Sequence, residues 1–184
     1  MKLIFKNRLP LTMRPLLIGR FQPFHNGHLW LVNRIVKEYG SIIIGIGSAQ
    51  ESHTLVNPFT AGERHYMIQK SLEESGIHDY YLVPIEDIYR NSLWVSHITS
   101  LAPPFDVAIS GNPLVKRLFM EAGKKVIEPE MHGRELYSGR EIRRRIIANE
   151  PWKDLVPNGT YKVIMEIDGE NRIRDLSKTD EVIK

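Results

Sequence analysis

The sequence predicts an α/β fold: a doubly wound parallel sheet of about five strands with helices on both faces. Three observations carry that expectation. Apolar runs alternate with amphipathic stretches up to residue 148, the order that gives parallel strands with right-handed helical crossovers. Ile42, Ile43, Ile44 and Ile46 form a nearly continuous β-branched run, as in a strand covered on both faces. Small-residue turns follow the first two strands at one edge of the sheet, the edge where open α/β sheets bind ligands.

The elements follow in order. Leu16, Leu17 and Ile18 form the first strand, and it runs into Gly19-Arg20-Phe21-Gln22-Pro23-Phe24-His25-Asn26-Gly27-His28. Leu29, Val32, Val36 and Tyr39 recur at helical spacing, and Gly40 supplies a stop. The isoleucine strand over 41–47 leads into Gly47-Ser48-Ala49-Gln50. Thr60 and Glu63 have the spacing of a capping box and predict a helix to about Ser75, closed by Gly76. A third strand is expected over 80–85 and a short helix over 93–101, capped by Ser92 and ended by Pro103-Pro104. The fourth strand spans 106–110. Pro113 then suits the first position of a helix, where no backbone donor is needed, and a fifth strand covers 125–128. Ser138 and Glu141 predict a second capping box opening a basic helix to about Ala148, followed by a helix over 160–167 and a charged tail.

Composition sets the bounds. The chain has 184 residues, is 42% hydrophobic and 26% charged, and suits one domain with a substantial core. No apolar run approaches the roughly 20 residues that span a bilayer. The absence of cysteine excludes disulfides, thiolate zinc sites and cysteine nucleophiles, and fits an intracellular protein. The net charge of +3 suits an anionic ligand. Met13 stands directly before the first strand and reads as an alternative start. Residues 1–13 are then a loosely held extension, and 14–184 are one domain ending in a helical segment.

Two stretches carry chemistry. In the first, Gly19 and Gly27 permit close backbone approach, and the following helix start attracts an anion. Arg20, His25 and His28 can donate to phosphate oxygens from one side. No carboxylate base or nucleophile accompanies them, so the group stabilises charge on a phosphoryl centre and does not attack it. A partial zinc site is the alternative for a bare histidine pair, but the motif holds no third ligand. In the second stretch, Ser138 offers a hydroxyl beside Gly139, and Arg143, Arg144 and Arg145 follow within two turns. A well-capped, solvated basic helix is the plain reading of that segment taken alone. Trp94 taken alone is a core residue, and Trp30 and Trp152 are packing residues.

The first stretch resembles the HxGH signature of the nucleotidyltransferase superfamily, and Tyr137-Ser138-Gly139-Arg140-Glu141-Ile142-Arg143 resembles its second signature, ISSTxxR. Gly47-Ser48-Ala49-Gln50, Pro58-Phe59-Thr60-Ala61-Gly62-Glu63-Arg64, Leu93-Trp94-Val95 and Ser110-Gly111-Asn112-Pro113-Leu114-Val115 resemble blocks of the archaeal-type nicotinamide-nucleotide (NMN) adenylyltransferases. The resemblance spans about residues 14–167. It implies a Rossmann-like fold and transfer of AMP from ATP to nicotinamide mononucleotide, giving NAD and pyrophosphate, with Mg2+ held mainly through the phosphates. It also implies a cytoplasmic homo-oligomer with no nucleic-acid or membrane partner. Arg20, His25, His28 and Arg143 are then the catalytic groups. Gly19, Phe21, Gly111, Asn112, Ser138 and Gly139 bind ATP, and Ser48, Asn91 and Trp94 bind the mononucleotide. Where the signature has a second serine and a threonine, this chain has Gly139 and Arg140. Other mononucleotide acceptors, a non-catalytic nucleotide sensor and a nucleic-acid binder using residues 140–145 are the competing readings.

Overall fold

A computed structural model describes residues 13–130, 133 and 135–178. The expectation for the N-terminal extension falls almost wholly outside the described residues. Five parallel strands form one sheet: β1 (Pro15–Gly19), β2 (Ile42–Ile46), β3 (Tyr80–Pro84), β4 (Val107–Ile109) and β5 (Lys125–Ile127). Their order is β3-β2-β1-β4-β5. The chain therefore winds outward in one direction to β3, then crosses back beyond β1. That reversal puts the switch point of the sheet between the carboxyl ends of β1 and β4.

Helices α1 (Asn26–Tyr39), α2 (Ala61–Glu74), α3 (Asn91–Leu101), α4 (Pro113–Glu121), α5 (Gly139–Ile147), α6 (Asn158–Glu166) and α7 (Gly169–Leu176) surround the sheet. The two-residue period of the strands sorts the core into two layers. Leu17, Ile42, Ile44 and Ile46 face Val32 and Ile35 of α1 and Met67, Ile68 and Leu72 of α2. Leu16 and Ile43 face the other way, toward Val95 and Ile98 of α3 and Phe119 of α4. Helix α6 crosses α2 so closely that a Cβ on Gly159 would meet the backbone of Lys70 and Ser71 at 2.6 Å. Ser71 Oγ and Thr160 Oγ1 are hydrogen-bonded at 3.0 Å inside that crossing.

Three expectations need correction. Ser92 does not cap α3: the helix begins at Asn91, and no side chain caps it. Ser138 Oγ accepts from Glu141 N at 3.2 Å, but the reciprocal half of that capping box is missing. The Glu141 carboxylate is instead taken by Arg144 and Arg145 (Nε–O 2.8 Å each). The segment expected as a charged tail contains α7, which buries Ile173. Its charges have distant partners: Arg172 forms two bonds to the Glu63 carboxylate at 2.7 and 2.8 Å, and Glu170 accepts from Trp152 Nε1 at 2.7 Å.

Candidate active site

At the end of β1 the chain turns under its own aromatic rings. Phe21 is buried with φ at +51°, and its ring lies edge-on to His28 (centroids 4.8 Å apart). A Cβ on Gly19 would meet that ring at 2.9 Å, so here the glycine makes room for Phe21. Helix α1 then starts on an unusual cap. His25 is the N-cap residue, and its Nδ1 accepts from His28 N. His28 Nδ1 in turn accepts from His25 N, both at 3.3 Å. The two imidazoles stack with centroids 3.5 Å apart.

This reciprocal cap fixes the protonation pattern. A ring nitrogen that accepts a backbone N–H carries no proton, so each imidazole bears its hydrogen on Nε2. Burial lowers His25 from 6.5 to about 4. Burial, reinforced by His25 itself, holds His28 well below the ordinary histidine range. Near neutral pH the pair is thus two uncharged N–H donors.

Two cavities open at this point. The first, about 290 Å³, is lined by Gly19, Phe21, His28, Ser110, Gly111, Asn112 and Pro113 among others, and lies at the switch point between β1 and β4. Asn112 caps α4, its Oδ1 accepting from Leu114 N at 2.9 Å and Val115 N at 3.3 Å. The second, about 340 Å³, is lined by Arg20, Phe21, His25, His28, Tyr137, Ser138, Gly139, Arg140 and Arg143 among others. His28 and Phe21 belong to both. The two signature stretches, more than a hundred residues apart, therefore form facing walls of one space. Gly27 lets them close: a Cβ there would meet Tyr137 Cβ at 3.0 Å.

Among the described residues, three guanidinium groups and two imidazoles border the second cavity, and no carboxylate does. Burial lowers Arg143 to about 10, and the positive charge of Arg20 adds to the effect. Arg143 Nη1 also donates to the Gln22 carbonyl, which holds the side chain in place. Cations gathered without counter-charges make a site for a polyanion.

Sequence reasoning assigned no role to Arg64. Its side chain is fully buried and finds only carbonyl oxygens: Arg20 O (2.9 Å), Gly47 O (2.7 Å), Ser48 O (3.0 Å) and Thr60 O (3.1 Å). Burial and the nearby Arg20 lower it to about 10. Arg64 ties the ends of β1 and β2 together and adds a fixed positive charge behind Arg20. The signal available was its place one residue after the Thr60–Glu63 box, but its burial depends on backbone from distant loops.

Ser48, Asn91 and Trp94 border neither cavity. Ser48 is half-buried just beyond β2 with φ at +49°. Asn91 is exposed at the first turn of α3. Trp94 is half-buried, edge-on to Phe119 at 5.7 Å. Trp30 and Trp152 pack as expected: Arg34 lies over the Trp30 ring at 4.7 Å, and Trp152 is buried beside Tyr161. No group of three or more His, Asp or Glu side chains suited to a metal occurs among the described residues.

A parallel sheet with a cation-lined cavity beside its switch point suits a nucleotide-handling domain, and residues 16–145 match the cytidylyltransferase-like family, to which the chain belongs. More particularly, it belongs with the nicotinamide-nucleotide adenylyltransferases. It is 58% identical over 169 residues to the protein of that name from Picrophilus torridus, covering 92% of this chain and 100% of that one. It is 59% identical over 170 residues to that of Thermoplasma acidophilum, covering 92% and 95%. The fold is shared with a bifunctional NMN adenylyltransferase/ADP-ribose pyrophosphatase from Francisella tularensis, crystallised with AMP and a manganese ion. The TM-score is 0.73 at 22% identity over 89% of this chain, which spans about half (51%) of that longer protein.

Proposed function

We propose that the chain transfers the adenylyl group of ATP to nicotinamide mononucleotide, forming NAD and releasing pyrophosphate. The observation that carries this is the meeting of the two cavities at His28. A nucleoside in the first cavity sends its phosphates past the stacked imidazoles into the second, between Arg20 and Arg143.

The mononucleotide phosphate is itself the nucleophile. One of its oxygens bonds to the α-phosphorus of ATP in line, the bond from that phosphorus to the bridging β-phosphate oxygen breaks, and pyrophosphate leaves with the electron pair. That phosphate is already ionised at neutral pH, so no general base is required. The protein supplies position and charge stabilisation. The Nε2–H groups of His25 and His28 donate to oxygens around the reacting phosphorus. Arg20 and Arg143 hold the outer phosphates, with Ser138 at their far end. Gly19, Phe21, Gly111 and Asn112 frame the adenosine, and Gly139 brings the backbone of α5 close to the phosphates.

Ser48, Asn91 and Trp94 are assigned to the mononucleotide. The exposed amide of Asn91 suits a carboxamide, and the half-buried indole of Trp94 suits a flat ring. Among the described residues the donor set offers no carboxylate cage for a metal, and Mg2+ carried by the phosphates and water is the arrangement we propose. That ion, when bound, screens charge on the triphosphate. We place the enzyme in the cytoplasm, in keeping with its lack of cysteine, and read it as a homo-oligomer acting without a nucleic-acid or membrane partner. No helix among the described residues is long and apolar enough to cross a membrane.

The test is product formation from ATP with nicotinamide mononucleotide, flavin mononucleotide and phosphopantetheine in parallel. NAD is the expected product, and product from flavin mononucleotide alone would overturn the assignment.

A further inference from the structure

Arg140 stands where the second signature has a hydroxyl, and its surroundings are peculiar. It is exposed, borders the second cavity, and makes no hydrogen bond or ion pair among the described residues. It is also the second residue of α5, at the positive end of the helix dipole, where a cation is disfavoured and an acid is usual. The neighbouring acid, Glu141, cannot relieve it, because Arg144 and Arg145 occupy that carboxylate. The next basic residues on this helix thus have partners, while Arg140 faces a cavity already carrying Arg20 and Arg143. Such a placement is unfavourable in the empty protein and becomes favourable when an anion enters.

We propose that Arg140 is a binding residue for the outer two phosphates of ATP and for the pyrophosphate product, replacing a neutral hydroxyl with a charged grip. The two cavities fix which phosphates these are. Arg140 borders only the second cavity, on the wall built by α5, whereas the nucleoside end belongs to the first. A group on that wall meets the part of the triphosphate farthest from the base. The consequence is selective: Arg140 favours ligands that carry the outer phosphates and is indifferent to AMP and to the mononucleotide. It also makes binding more dependent on ionic strength than a hydroxyl would.

The inference rests on the adenylyl-transfer reading for its substrate, but its test does not require turnover. Calorimetric titration of the wild type, Arg140→Thr and Arg140→Lys with pyrophosphate and, separately, with AMP is combined with initial rates for ATP and nicotinamide mononucleotide at low and moderate salt. Arg140→Thr is expected to weaken pyrophosphate binding and raise the KM for ATP about tenfold, the scale of one charge-assisted hydrogen bond. It should also flatten the salt dependence, with AMP affinity and the KM for the mononucleotide unchanged. Arg140→Lys should recover most of the loss. Unchanged pyrophosphate affinity in Arg140→Thr, or an equal loss for AMP, would overturn the proposal. Failure of the wild type to make NAD while pyrophosphate binding still tracks residue 140 would overturn the reaction and leave this role standing.

Discussion

The carbonyl oxygen of Gln22 lies so close to Gly139 that a Cβ there would come within 2.6 Å of it. This contact joins the two signature stretches through backbone, and Arg143 reinforces it by donating to the same oxygen. It also gives a physical reason for glycine where the superfamily signature has serine: in this chain α5 is docked too tightly for a side chain. Gly139→Ala is expected to push α5 from the Gln22 carbonyl and misplace Arg143. Displacements of about 1 Å at such sites cost on the order of a hundredfold in rate. Steady-state kinetics should show a loss of about ten- to a hundredfold in kcat/KM, with far-ultraviolet circular dichroism unchanged.

His28→Ala removes both the donor proposed for the reacting phosphorus and one half of the histidine cap. Turnover should fall by about two to three orders of magnitude, as when one charge-stabilising donor is lost. The KM for the mononucleotide should change little. Full activity in this variant, measured by coupled NAD formation, would refute the role given to His28.

Arg64→Met leaves the carbonyl oxygens of Arg20 and Gly47 without their donor, while those of Ser48 and Thr60 keep a backbone N–H, from Glu51 and from residue 64 itself. Each orphaned group costs about 1–3 kcal/mol before relaxation. A melting temperature lower by about 10 °C is expected, since about 3 kcal/mol shifts a domain of this size by that much. Arg64→Lys should recover only part, because an ammonium cannot span acceptors from three loops. Differential scanning calorimetry decides it.

The histidine cap makes stability depend on pH in a definite direction. The folded protein holds His25 at about 4 while an unfolded chain binds the proton near 6.5. The neutral ring therefore contributes fully above about pH 6.5, and its contribution fades as the pH falls toward 4. At about 1.4 kcal/mol per unit, His25 alone accounts for about 3 kcal/mol over that window. Glu74, Glu141 and Glu150 are held below the usual carboxylate range by hydrogen bonds from Lys162 and Arg144, so their losses come at lower pH. Thermal melts between pH 7.5 and 4 should show the decline, and His25→Asn should lessen it, leaving the part that His28 contributes.

Asn91 offers a test of the mononucleotide assignment that leaves the fold alone, because it is exposed and caps nothing. Losing one neutral hydrogen bond is worth about 0.5–1.5 kcal/mol. Asn91→Ala should raise the KM for nicotinamide mononucleotide about three- to tenfold without affecting that for ATP. An unchanged KM for both substrates would remove Asn91 from the site.

Much of this structure is legible in the residues themselves. The isoleucine run of β2 and the Thr60–Glu63 box announce their elements because the determinants are local. Helix α7 escapes notice because its eight residues bury little beyond Ile173 and Gly169, and it is held by Glu63, Trp152 and the carbonyl of Ile146, all far away in sequence. Arg64 is hidden for the same reason. The histidine cap was half visible: His25 and His28 have the same spacing as Thr60 and Glu63, but imidazole is an uncommon capping group. Ser92 misled because a serine near a helix start is a good cap only if the backbone begins the helix after it.

The bond from Arg172 to Glu63 has a consequence for how the protein is made. Glu63 closes the cap of α2, and the next residue, Arg64, fastens the loops behind Arg20. A ribosome that has translated as far as Leu101 has already released the stacked histidines, yet the opposite wall of the phosphate site and the clasp on Glu63 have still to emerge. The nascent chain can lay down β1 to β3 early, but it cannot grip a triphosphate between two walls until α5 is out, nor lock α2 until α7 follows. The two walls of the cavity can therefore meet only once α5 has emerged, and the Glu63 clasp closes later still, with α7.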